Sequence, residues 1–191
     1  MKRLFLGVPL FLGWIGVIGS PLASAQMPPA YPGAQSNQAM ADAIRTVAKS
    51  TISSLRSLTE TSLKEAKTDE DRKKEEAQLQ EVEKTLKMLD QMKVTVYVTA
   101  DPVDKVKKFY EDKLKITFKD QERSLEEWAN GLKLNGFDKV NPEDFKGIIL
   151  RRYIARDNEK RLDIEITDKG IDPNTGKIIE KTIIHFASFP K

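Results

Sequence analysis

Apolar positions along this chain change period from one stretch to the next, and each change marks an element. From Asn37 to Met92 there is neither proline nor glycine. In the first part Met40, Ile44, Val47, Ala48, Ile52, Leu55, Leu58 and Leu63 recur at three- and four-residue spacing, the stripe of an amphipathic helix. In the second part Leu79, Val82, Leu86 and Leu89 form a three-four-three seam, too short for a self-standing coiled coil. Between them Lys67 to Glu76 holds no apolar residue. Thr68 followed by Asp69, Glu70 and Asp71 has the form of an N-cap with acids in the first turn. The pattern predicts two helices, 37–66 and 69–92, folded back as a hairpin or continued as one bent rod.

The period then drops to two. Val94, Val96 and Val98 alternate with Thr95, Tyr97 and Thr99, all β-branched or aromatic, as in a strand. Asp101-Pro102 reads as a helix start, with the carboxylate as cap and proline at the first helical position. Val103, Val106, Phe109, Tyr110 and Leu114 give that helix one apolar stripe. Ile116-Thr117-Phe118 reads as a short strand. Ser124 with Glu127 three residues later is a capping box opening a helix through Leu125, Trp128, Ala129 and Leu132, which Gly136 ends. The tract 135–146 is irregular, with Phe137 and Phe145 as possible anchors.

Three strands close the chain. They are expected at 147–156, at Leu162–Thr167 with clean alternation, and over 177–189, with a turn-rich loop from Asp168 to Lys177. In the last strand Ile178, Ile179, Ile183 and Ile184 come in adjacent pairs, so the period breaks; a bulge, or cover on both faces, accounts for it. The order β-α-β-(α)-β-β-β defines an α+β domain over 93–191, a mostly antiparallel sheet with one helix across a face. Tyr97 and Tyr153 are expected on the other face, where the helical segment 37–92 would lie.

The beginning of the chain has a different composition. Lys2 and Arg3 precede an apolar run from Leu4 to Gly19, and Ala23-Ser24-Ala25 is a small-x-small pattern. This is a secretory signal peptide over 1–25, cut after Ala25, which places the protein in the periplasm or outside the cell. The run is short and glycine-containing for a membrane anchor, so no stable membrane span is expected after cleavage. Residues 26–36, with Pro28, Pro29 and Pro32, read as a Pro/Gly-rich linker, a flexible tether in preference to a docked segment, and Tyr31-Pro32-Gly33-Ala34 suits a type II turn.

Charge follows from the leader. The whole chain carries 32 Lys and Arg against 29 Asp and Glu; losing Lys2 and Arg3 leaves 30 against 29, a net charge of +1. A mature protein so balanced lacks the concentrated positive field of a nucleic-acid binder. The absence of cysteine removes thiol catalysis, thiolate metal sites and disulfides, so an ordinary apolar core must hold the fold.

Candidate chemistry is sparse. His185 is the only histidine, which rules out an all-histidine metal site and makes a structural role the expectation. Asp163 and Glu165 share one side of their strand, a spacing a hydrolase could use. Arg151 and Lys181 on neighbouring strands are expected to meet them in a charge ladder instead. Asp168, Asp172 and Asn174 offer oxygens in one loop but miss the calcium-loop spacing. No phosphate-cradling glycine loop and no zinc-protease motif occurs. No catalytic residue, metal site or cofactor is expected.

The Tyr31-Pro32-Gly33-Ala34 tetrapeptide, together with Asp101, Pro102, Val106, Phe109, Tyr110 and Leu114, resembles a loosely defined group of exported bacterial proteins. These carry a YPGA-type motif and a D/S-P-x-x-V-x-x-F-Y-x-x-x-L helix in a small α+β domain. In that pattern the two motifs lie close together, whereas here the helical segment separates them. The resemblance implies export and fold, and no activity. The leading expectation is a non-catalytic envelope protein, a binding or interaction module. Its helical segment would contact a protein partner or a second copy through Leu79, Val82, Leu86 and Leu89. The alternative is a small carrier holding an apolar ligand between sheet and helices, and a carboxylate-dependent hydrolase comes third.

Overall fold

The computed structural model of the chain describes residues 27–189. The leader expected over 1–25 lies outside these described residues. The fold is α+β. In chain order come β1 (Gln35–Ser36), α1 (Gln38–Glu65), α2 (Asp69–Gln91), β2 (Lys93–Thr99), α3 (Val103–Leu114), β3 (Lys119–Ser124) and α4 (Leu125–Leu134). A 3-10 turn (Pro142–Phe145) follows, then β4 (Ile149–Asp157), β5 (Leu162–Thr167), β6 (Gly170–Ile171), β7 (Ile178–Ile179) and β8 (Thr182–Ser188). Six strands form one antiparallel sheet in the order β1-β2-β8-β5-β4-β3, and β6 and β7 pair separately.

The helical segment is a hairpin. Asn37 caps α1 by accepting from the Met40 amide, and Thr68 caps α2 by accepting from the Asp71 amide. Lys49–Asp90 at 2.7 Å and Arg56–Glu83 at 3.4 Å fix the antiparallel register of the two helices. Apolar stripes that would each be half wet in a single rod close on one another and on the sheet.

α3 and the hairpin cover opposite faces. Val103, Val106 and Tyr110 of α3 pack on Tyr153, Ile164, Ile166, Ile184 and Phe186. Met40, Ile44 and Ile52 of α1 pack on Val94, Val96, Ile183 and Ala187 of the other face. All seven residues of β8, the strand between β2 and β5, are buried. Ile183 serves the hairpin face and Ile184 the α3 face, so adjacent isoleucines mean cover on both sides. A break at Glu180-Lys181, not a bulge, lets β7 fold back on β6. A third cluster, with Ala43, Val47, Leu125, Leu132, Val140 and Phe145, pins α4 and the 3-10 turn to α1.

Several expectations need correction. Ile116–Phe118 is not a strand; Phe118 drops into the α3 core and β3 begins at Lys119. The hexamer Lys119–Ser124 shows no apolar alternation because it is an edge strand with one neighbour. Tyr97 and Tyr153 sit under α3, not beneath the helical segment. The valines of β2 take the hairpin side, because the adjoining β8 presents Ile183 and Ala187 there and Phe186 on the other. Asp101 does not cap α3. Pro102 occupies the cap position, its carbonyl accepting from the Lys105 and Val106 amides.

Candidate functional site

Residues 27–36, expected as a flexible tether, are docked along α3. Pro32 and Gly33 (φ +75°) make the predicted turn, with the Ala34 amide donating to the Tyr31 carbonyl at 3.0 Å. Only a residue tolerant of positive φ fits the third position of that turn. The turn aims Tyr31 inward, where it is buried edge-on against Phe109 at 5.1 Å. Its hydroxyl donates to Asp101 Oδ2 at 2.6 Å, and Lys105 Nζ donates to the same oxygen at 3.0 Å. Tyr110, fully buried, donates to the Pro29 carbonyl at 3.1 Å. A segment whose prolines lack donors is thus held by its carbonyls and its aromatic ring. The two motifs that the helical segment separates in sequence lie against one another in space.

A second tyrosine–carboxylate pair stands beside the first. Tyr153 donates to Asp104 Oδ1 at 2.6 Å, while Arg151 donates to Asp104 Oδ2 at 3.1 Å and also faces Asp120. Burial ahead of the Asp104 bond pushes the Tyr153 hydroxyl up to about 12. The Asp101 bond, more than burial, raises Tyr31. Asp101 and Asp104 are both lowered, chiefly by the hydroxyls they accept from. All four groups hold their ordinary charge at neutral pH, and the pairs act as tethers between α3, the N-terminal segment and β4.

Past the end of α3 the docked segment leaves an open groove of about 380 Å³. Leu162 and Ile164 of β5 form its floor, Leu114 and Ile116 one wall, and Met27, Pro28 and Pro29 the other. Asp157 and Lys160 stand at the rim, with Lys160 Nζ 2.7 Å from Asp157 Oδ2.

The hairpin face carries a different chemistry. Arg152 Nη2 donates to Glu165 Oε2 at 2.9 Å, and its Nε stands 2.8 Å from Oε1 as an ion pair. Arg156 grips Asp163 with two hydrogen bonds, Nε to Oδ1 at 2.6 Å and Nη2 to Oδ2 at 3.0 Å. The expected ladder exists, but its cations are Arg152 and Arg156. Arg151 points to the α3 face, and Lys181 lies in the exposed break before β8. His185 pairs directly across from Glu165 in the β5–β8 ladder. Burial holds the imidazole below its ordinary value, so it is neutral at pH 7. Burial, the largest single influence, pushes Glu165 up, and the charge and hydrogen bond of Arg152 together with its other neighbours outweigh it, leaving the carboxyl below the usual range. Charge-assisted pairing of this kind suits carboxylates largely withdrawn from water. A cavity of about 50 Å³ between His185, Glu165, Arg123 and Trp128 has room for little beyond water.

The remaining predicted residues scatter. Asp172 accepts from the Asn174 amide and the Thr175 hydroxyl within its own loop, and Asp168 accepts from the Arg151 amide. Among the described residues no group of three or more His, Asp or Glu could hold a metal ion. Among them, too, no helix is long and apolar enough to cross a membrane. The stripe Leu79, Val82, Leu86 and Leu89 faces α1, with Val82 and Leu89 buried and Leu79 and Leu86 half-buried. Beyond it the hairpin runs on. Apart from Thr59, buried side chains of α1 end at Ile52, and those of α2 begin at Val82. Two legs, each of roughly 20 Å at 1.5 Å per residue, are left with charged outer faces and with Leu58 66% exposed.

Sequence reasoning missed the groove because its Met27–Pro29 wall was assigned to a tether. The signal was present in Tyr31, an aromatic in a proline-rich segment, opposite a helix with a Phe-Tyr pair. No family model, curated protein or solved structure matches this chain.

Proposed function

We propose that this protein is a non-catalytic, exported interaction module that associates through the free legs of its helical hairpin. The division of that hairpin carries the reading. Its root, to Ile52 and from Val82, is part of the core, while the legs beyond bury only Thr59 and present Leu58 to water. An amphipathic arm held rigidly at its base presents a protein-binding face without an ordering cost at the moment of contact. Export rests on the leader pattern of residues 1–25. The contact between the YPGA turn and the Phe-Tyr helix supports placing the chain with the exported bacterial proteins that share both motifs.

The test is light scattering on mature protein, from Gln26, with and without the arm. Joining Ser57 to Val82 through a short glycine-rich turn removes the arm and spares the root. The reading expects a self-associated species that becomes a folded monomer. Two identical folded monomers contradict it.

A second reading, a small carrier for an apolar ligand, is favoured by the groove between the N-terminal segment, α3 and β5. It places the binding function on the sheet instead of the arm, and the two sites are separable by mutation.

A further inference from the structure

We infer that the groove at the end of α3 binds a straight aliphatic chain bearing one terminal carboxylate, the chain between Ile116 and Ile164 and the carboxylate at Lys160. This deepens the carrier reading and rests on it.

The walls select the body of the ligand. Leucine, isoleucine, methionine and proline side chains line the groove, with no aromatic ring among them. A flat ring gains most from stacking, which this surface does not offer. A flexible hydrocarbon gains from area alone, at about 25 cal/mol per Å² removed from water. At about 380 Å³, and a water-sized share of about 30 Å³ per heavy atom, the space takes roughly a dozen heavy atoms.

The rim selects the head. Among the described residues, the only charged groups lining the groove are Asp157 and Lys160. Asp157 is committed on both oxygens, accepting the Lys160 amide at 3.0 Å and Lys160 Nζ at 2.7 Å. Its side chain is only 15% exposed. Lys160 is 54% exposed and uses one of three ammonium donors on Asp157. A second carboxylate can therefore join Lys160 without displacing the first, whereas a cationic head would meet an ammonium and a carboxylate already bonded. Nothing on the inner walls asks for a second polar group, so the ligand is polar at one end.

The experiment uses the mature chain with decanoate, decanol and decylammonium as probes, all below micelle formation. Methyl NMR signals of Met27, Leu114, Ile116 and Ile164 report occupancy. The expected result is saturable perturbation of these methyls by decanoate, weaker by decanol and weakest by decylammonium. Lys160→Gln should weaken decanoate roughly threefold, as befits a half-exposed ion pair, and leave decanol unchanged. Ile116→Asp, at a half-buried wall position, should abolish both while distant methyls such as Ile184 stay in place. Equal binding of decanoate and decanol, indifferent to Lys160→Gln, overturns the assignment of the head and leaves the carrier reading standing. No perturbation by any probe overturns both.

Discussion

The two faces of the sheet bury side chains by different rules. Under α3 the core side chains of β4, β5 and β8 are apolar or tyrosine, and polar groups gather at the rim, as Tyr31–Asp101, Tyr153–Asp104 and Arg151–Asp104. Under the hairpin the apolar side chains come chiefly from β2 and β8, with Leu150 of β4 packed among α1 and α4. Elsewhere on that face β4 and β5 present Arg152, Arg156, Asp163 and Glu165 in ion pairs. A narrow helix covers most of the α3 side because the docked N-terminal segment fills the margin, leaving the groove past the end of α3 open. On the other face α1 covers the β2–β8 half, and the charged half closes with arginine–carboxylate pairs. The first face is held by packing and the second by packing on one side and ionic matching on the other.

Mutations should break these rules differently. The largest effect is expected at Phe186, fully buried and edge-on to Tyr110 at 5.4 Å. Phe186→Ala should cost about 4 kcal/mol in denaturant unfolding, the range for an aromatic lost from a core. Next comes Arg152→Met, which strands the Glu165 carboxylate and should cost about 3 kcal/mol. Adding Glu165→Leu should recover most of that loss, because two apolar groups replace a pair whose desolvation nearly cancels its attraction. No second change near Phe186 should rescue the first variant in this way. Tyr110→Phe keeps the ring but loses the bond to Pro29, a loss of about 1 kcal/mol. Its readout is faster hydrogen exchange over residues 27–34, with the hairpin unaffected.

The pH response should also separate the faces. His185 has a folded-state value below its unfolded one, so the unfolded chain takes up a proton first as pH falls. Its share of stability is present above an ordinary histidine value near pH 6.5 and declines below it. Glu165, also lowered, adds a decline at more acid pH, as the unfolded carboxyl protonates before the folded one. Tyr153, raised to about 12, acts at the other end: its contribution is whole below pH 10 and fades as pH climbs towards 12. Unfolding midpoints of His185→Gln followed from pH 5 to 8 should be flatter than those of the parent. Equal slopes would remove the histidine from this account.

Local signals were enough to read much of this architecture. Both helix caps at Asn37–Met40 and Thr68–Asp71 sit within a residue of the predicted starts, and β5 matches its predicted bounds. The edge strand β3 was illegible, since Lys119–Ser124 owes its conformation to hydrogen bonds from β4 and not to its own pattern. The partners of Asp163 and Glu165 were misread for a related reason. Cross-strand register picks Arg156 and Arg152, and a shift of one residue would have picked Arg151. The groove depends on where a proline-rich segment docks, a long-range fact anchored by Tyr31 and Tyr110.

The hairpin is core at its root and exposed beyond it, and native-state hydrogen exchange of the intact chain measures that division directly. Amides of residues 44–52 should exchange only on global unfolding, together with those of β8, while amides of 58–65 and 72–80 should exchange through local opening at much lower free energy. Uniform protection along both helices, or a root that opens as readily as the arm, would contradict it.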